Sequence, residues 1–340
     1  MDPREVTAIG CVRVSRSMML AMAMTVEELS DAEQKVWGAF PSGTPVSFLT
    51  GNDENDDPAT GEHWDDRRQV RVKVLLELLC GAVEVEPGQA GGVNLHGARI
   101  TGAMNLREAP FKHVLLLDRC YIGEGIGLPE AKTRSVELRN CHIGPIDVRN
   151  ANIGGAFVLT GSRLNGNNGP ALAADGLIVT GPMLCDGITA DGPVSLAYES
   201  IRGALRFRGA QLHGKDGGAA LTLDRASVAD ITAASIVVCG KVSLVGAQIA
   251  SSVNMADAWL HNRPGTIAVD AEGATIGAAL DLQNAHVIGE MTMRTGRVGG
   301  RILLQGASLE NQAKTALRLS RTTVASDVFC QGMAATGRVK

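Results

Sequence analysis

From Val93 onward, apolar residues recur on four positions of a short unit. In Val93-Asn-Leu95-His-Gly-Ala98-Arg-Ile100 they fall at offsets 0, 2, 5 and 7. Units with this spacing start at Met104, Leu115, Ile126, Val136, Ile146 and Phe157 and continue to Val328, 21 in all. Offsets 0 and 2 share one face of a short strand, as do offsets 5 and 7. The odd step between 2 and 5 is a corner, often glycine, and offset 5 is usually a small residue. A unit is therefore two short strands and two corners, and two units make a four-walled coil of about 21–22 residues. The pattern predicts an all-β protein: a right-handed, quadrilateral parallel β-helix over 91–340. Roughly ten coils at about 4.8 Å each give a rod near ~50 Å long.

The first 90 residues follow a helical pattern and predict a small α-helical cap. Thr25 with Glu28, and Ser30 with Glu33, are capping boxes for a helix ending near Phe40. Residues 41–45 read as a turn and 51–61 as a polar loop. Asp65 or Asp66 then caps a helix through Leu79, ended by Gly81, with Val74, Leu75, Leu78 and Leu79 as its apolar stripe. It is expected to cover the first coil, with Leu75 and Leu78 against Val93, Leu95 or Met104, because solenoid ends need caps. Arg67, Arg68, Arg71 and Lys73 crowd its start and oppose the helix dipole; pairing with the acidic 53–57 run is the expected reason. That run alternates Asp53, Asn55 and Asp57, but Pro58 and Trp64 stand where a calcium loop needs Gly and Glu.

A longer period overlies the repeat. Unit starts are 10 or 11 residues apart except from 157 to 172, 205 to 221, 253 to 269 and 302 to 317. These insertions recur every two coils and should project from one edge, about 10 Å apart. They carry Asn165, Asn167, His213, Lys215, Asp216, His261, Asn262, Arg263, Glu310, Asn311, Gln312 and Lys314. Solenoid insertions commonly gather on a binding face, so these residues are the candidates for contact with a protein partner of unknown identity.

Ala98-Arg-Ile100, Ala109-Pro-Phe111, Ala151-Asn-Ile153 and Ala285-His-Val287 set a small residue two positions before a large apolar one. This resembles the pentapeptide-repeat family, with the difference that faces here run five then six residues. The resemblance covers about three quarters of the chain and implies a right-handed β-helical solenoid. The helix at 71–81 followed by Leu-x-Gly-Ala-x-Ile-x-Gly is also similar to uncharacterised actinobacterial solenoids, some labelled membrane-associated oxidoreductase. No residues in this chain justify that label.

Composition narrows the reading further. Aromatics are 3% of the chain and glycines number 41, which suits thin, uniform core layers. Seven cysteines without a C-x-x-C pair fit neither a disulfide scaffold nor a zinc site, and a reducing cytoplasm is the default, with peripheral membrane association left open. Cys120 and Cys141, 21 residues apart at offset 5, should stack as buried thiols. No run is long enough to span a membrane. Met18 to Val26 behind Arg4, Arg13 and Arg16 reads either as a signal-peptide core or as an extension upstream of Met22 or Met24.

Charge separates the two regions. Residues 1–90 are net −8 and the remainder net +4. A basic rod speaks against the DNA mimicry by which pentapeptide-repeat proteins protect gyrase. Arg99, Arg107, Arg119, Arg139 and Arg149 could meet nucleic acid, but aromatics to stack bases are scarce, so solvated arginines are expected.

No dinucleotide, phosphate-loop, nucleophile-elbow or His-Glu-x-x-His motif occurs. Asp224 and Asp281 stand alone on their walls. No catalytic, cofactor or metal residues are assigned. The leading reading is a non-enzymatic interaction scaffold; the alternative is a carbohydrate-active or redox enzyme on a β-helix. The repeat stops mid-unit after Val328, Cys330, Met333 and Ala335, which suggests either a fragment or end-to-end self-association through 317–340, to be read from light scattering across a concentration series.

Overall fold

The computed structural model describes residues 28–340 except Ala109, Lys112, Asp216 and the side chain of Ala313. The capping box at Thr25 and the Met18 to Val26 run lie outside the described residues. The chain forms a parallel β-solenoid of about 11 coils, preceded by short helices. Each coil carries four strands. In the first they are Gly92–His96 (wall 1), Arg99–Thr101 (wall 2), Met104–Asn105 (wall 3) and Pro110–Phe111 (wall 4).

The strands pair with those of the next coil in parallel, with register shifts only where a strand spans a corner or borders a long insertion. The wall 1 ladder runs Val93, Leu115, Val136, Phe157, Met183, Leu205, Ile231, Val253, Leu280, Ile302, Val328. These are the offset-0 residues of alternate units, so the sequence period is the coil period. A one-residue slip would turn every buried side chain outward, which is why register persists through strands of two residues. From Val93 to Leu317 the inward positions are almost all buried and form one continuous core. Val328 and Val339, at inward positions of the last coil, are exposed.

The corners are built from left-handed residues. Between walls 1 and 2 the chain takes positive φ at Gly97, Arg119, Asn140, Gly161, Gly187 and onward in every coil, and between walls 3 and 4 at Glu108, Glu130, Asn150, Gly176, Tyr198 and their successors. The residue after each turns inward. It is therefore small in most coils: Ala98, Cys120, Cys141 and Ser162 form one such column. Cys120 and Cys141 do stack, the Cys120 amide donating to Cys141 Sγ at 3.4 Å, and both are buried. Burial pushes the Cys141 thiol well up, so it is held as an inert thiol.

The N-terminal region does more than cover the rod. The first helix, Asp31–Ala39, has the expected capping box: the Glu33 amide donates to Ser30 Oγ and the Ser30 amide to Glu33. Val46–Ser47 pairs with wall 1 of the first coil and Gln69–Arg71 with wall 2, so both walls begin before residue 91.

The second helix is shorter than its polar start suggests, running only Val72–Leu79. Asp65 caps a 3-10 turn, Asp66–Arg68, and the next three residues are strand. Val70 is fully buried there, and extension lets it meet Ile100 across the ladder. Tertiary pairing thus overrides the helical pattern. Val74, Leu75, Leu78 and Leu79 are buried on the core as expected.

The arginines divide between two acids. Arg68 pairs with buried Asp56 at 3.1 Å, lies over the Trp64 ring at 3.6 Å, and donates to the Gly97 and Asn55 carbonyls. Arg71 instead makes a two-pronged pair with Glu33 of the first helix, at 2.7 and 2.6 Å. The acidic loop is therefore a folded brace at Asp56, while Asp57 caps the 3-10 helix Pro58–His63. Among the described residues no helix is long and apolar enough to cross a membrane.

Candidate functional site at the corner between walls 2 and 3

All four insertions lie at one corner, between walls 2 and 3, on alternate coils. The strand Arg163–Asn165 is followed by Leu172–Ala173, Gln211–His213 by Ala219–Thr222, and Trp259–His261 by Ile267–Asp270. The fourth insertion lies within one continuous strand, Ser308–Arg318. The intervening coils turn tightly: Thr189–Asp191 to Val194–Ser195, Val237–Cys239 to Lys241–Ser243, His286–Ile288 to Glu290–Thr292.

The last rung of wall 2 collects four of the candidates in one outward column. It reads Asn165, Asp191, His213, Cys239, His261, Ile288, Glu310. Asn165, His213, His261 and Glu310 come from the long corners. Asp191, Cys239 and Ile288 come from the short ones and lie outside the insertions. The signal that finds them is the same offset beyond the inward residue of wall 2 in the intervening units.

The insertions touch one another. Asn311 Oδ1 accepts from the Gly265 amide at 2.9 Å, and Lys314 Nζ donates to the Gly265 carbonyl at 3.0 Å. Arg263 lies against Gly217, where an added Cβ would come within 2.8 Å of Nε. The insertions at 213–218, 261–265 and 310–314 thus make a ridge along the corner. Asn262 and Asn311 are buried in it: their amides donate to the Ile267 and Thr315 carbonyls at 2.7 and 2.6 Å. They hold loops rather than face solvent. Asn165 and Asn167 are exposed, the Asn167 amide donating to Asn165 Oδ1. Lys215, Arg263, Gln312 and Lys314 occupy the ridge, and Asp216 lies outside the described residues.

Each long corner rests on a glycine of the next, short coil. Gly192, Gly240, Gly289 and Gly337 all have φ beyond +110°, and a Cβ on Gly240 would stand 2.8 Å from the Gly218 carbonyl. Gly240→Ala is expected to cost about 1–3 kcal/mol and to loosen the 214–218 loop. Gly187→Ala, at φ +65° with open space around it, should cost about 1 kcal/mol from φ alone. Urea unfolding and loop proteolysis of the two variants check the difference; equal losses would contradict the close packing.

The surrounding chemistry is mixed. Asp191 Oδ1 is 3.1 Å from His213 Nδ1, His286 Nε2 is 3.6 Å from Glu310, and Lys241 pairs with Asp270 at 3.0 Å. Trp259 is 56% exposed and tilts against His286 at 4.5 Å between centroids, with exposed Val237 on the preceding rung. Asp224 accepts from Ser243 Oγ at 2.6 Å and the Val245 amide, and Asp281 from the Gln283 amide, so both brace the wall. Arg107, Arg119, Arg139 and Arg149 pair with carboxylates, and Arg99 donates to the Trp64 carbonyl. No protein-family model, curated protein or solved structure matches this chain.

Proposed function

We propose that the protein is an interaction scaffold that docks a protein partner along the ridge between walls 2 and 3. The carrying observation is that insertions separated by 48–49 residues of sequence touch through Gly217, Gly265, Asn311 and Lys314. Loops that brace one another in this way form a preordered surface, which lowers the ordering cost of binding. Lys215, Arg263 and Lys314 outnumber Asp216 and Glu310 in the ridge segments, a slight basic excess suited to an acidic partner face. The pentapeptide-like spacing supports a non-enzymatic role, since it builds a regular rod whose variable parts are its loops.

The test is photo-crosslinking from Lys215 and Gln312 in the full chain in its host cell, with Arg294 between walls 3 and 4 as control. One protein labelled from the first two positions and not from the third is the expected result. Equal labelling from all three, or none, would overturn the reading.

A further inference from the structure

We infer that the outward column His213–Cys239–His261 is a binding site for a single Zn2+-class cation, with Asp191 as its supporting carboxylate. The three residues occupy consecutive rungs of wall 2, paired Cα to Cα. Backbone bonds on either side fix the spacing: the Gly214 amide donates to the Cys239 carbonyl at 2.8 Å and the Gly240 amide to the His261 carbonyl at 2.7 Å. Neighbouring rungs of a parallel sheet stand about 4.8 Å apart. Zinc needs its ligand atoms about 2.0–2.3 Å from the metal. The outer two Cα atoms are then about 9.6 Å apart, and on the proposed binding the two long imidazoles would rotate in over the short thiol between them.

The side chains are free to do so. Cys239 and His261 are exposed and His213 is half-buried. Among the described residues no three ligand-type side chains already converge on one point, so rotation of exposed groups, with the sheet unmoved, is the closing step. On binding, the Cys239 thiol releases its proton to solvent and binds as thiolate.

His213 is oriented in advance. Its Nδ1 faces Asp191 Oδ1 at 3.1 Å on the rung before it, which leaves Nε2 as the nitrogen open to a metal. A carboxylate behind a ligating imidazole is the usual second-layer arrangement of zinc sites. The order along the wall is therefore carboxylate, imidazole, thiol, imidazole. The pattern stops on both sides, at Asn165 and Ile288. Three protein ligands leave a fourth position for water or for a donor from another molecule. The inference concerns residues of both long and short corners and does not depend on a protein docking on the ridge.

The experiment uses the full chain, stripped with chelator under reducing conditions. Zn2+ is titrated against a competing chromophoric chelator, and Co2+ is added in parallel as a spectroscopic probe. One equivalent of Zn2+ and a thiolate-to-cobalt charge-transfer band are expected. Cys239→Ser should abolish the band, His213→Gln and His261→Gln should each weaken Zn2+ by at least tenfold, and Asp191→Asn by about 10–100-fold. Cys330→Ser, altering the other exposed thiol among the described residues, should change nothing. These substitutions are on the outer surface, and circular dichroism of each variant confirms that the fold is retained. Failure to compete with the chelator, or binding and a band that survive Cys239→Ser, would overturn the assignment.

Discussion

Replacing Glu199 by alanine is expected to stabilise the solenoid at alkaline pH. Glu199 occupies the inward corner column between walls 3 and 4, one rung after Leu177 and one before Ala226: the Ser200 amide donates to the Leu177 carbonyl and the Ser227 amide to the Glu199 carbonyl. Its side chain is 1% exposed and both carboxyl oxygens lack a hydrogen-bond partner. Burial pushes its pKa up to about 8 and the Asp175 charge adds to it; the residue's own backbone N–H lies close enough to oppose this but does not make a hydrogen bond to the carboxyl. An unpaired carboxylate in an aliphatic layer is costly, so the group holds its proton instead.

The sign of the pH dependence follows. The folded state keeps this proton up to about pH 8, whereas an unfolded glutamate releases it near pH 4.5. Between those values the folded chain binds one more proton, so stability falls as pH rises. The loss amounts to at most about 5 kcal/mol across the window, and no further loss from this group comes above it. Glu199→Ala removes the dependence and leaves only a small void, as alanine already serves in the neighbouring coil. At pH 5 the variant should match or slightly trail the parent; at pH 9 it should exceed it by several kcal/mol. Denaturant unfolding at both pH values measures this, with hydrogen exchange of coils 4–6 as the local readout. A parent stability that is flat from pH 5 to 9 would refute it.

Leu78→Asp is expected to open the rod from its N-terminal end. Leu78 is fully buried in the helix Val72–Leu79, which lies on the first coil. A carboxylate there would be unpaired in an apolar layer, at a cost of more than about 4 kcal/mol. Leu78→Ala should cost about 2–5 kcal/mol through the cavity alone. In a solenoid each coil contacts chiefly its neighbours, so damage is local before it is global. Amide exchange should therefore accelerate in the first two or three coils while coils 8–10 stay protected. Uniform loss of protection, or none, would contradict the capping role of the helix.

The coil itself was legible because its inward side chains repeat at fixed offsets, and register in a β-helix is set by that repeat. The four insertions were legible for the same reason, as breaks in the period. Val70 was not, because a strand of three residues embedded in an amphipathic pattern carries no local mark; only Ile100 opposite it decides the conformation. The pairing of the arginines with the acidic run was legible as a charge match and holds for Arg68 with Asp56, but not for Arg71, whose partner Glu33 comes from the first helix. Glu199 is the sharpest case: it stands at offset 5 of the unit that starts at Val194, an inward position by the repeat, yet its residue type speaks for solvent, and only the stacked coils show it buried without a partner. At the ridge, the loop residues could be named, but the column joining His213 to Cys239 exists only once the long and short coils are stacked on one another.

The glycines beneath the long corners impose a rule of exclusion between adjacent coils. A long corner needs a residue without a side chain at the next rung, and Gly192, Gly240, Gly289 and Gly337 supply it at intervals of 48, 49 and 48 residues. Two long corners cannot therefore be neighbours, and the smallest interchangeable piece of this rod is a pair of unlike coils. Removing one such pair would return the ladder to register with its ridge intact. Removing a single coil between two insertions would drive one loop's backbone into the next, although every core side chain still found its place.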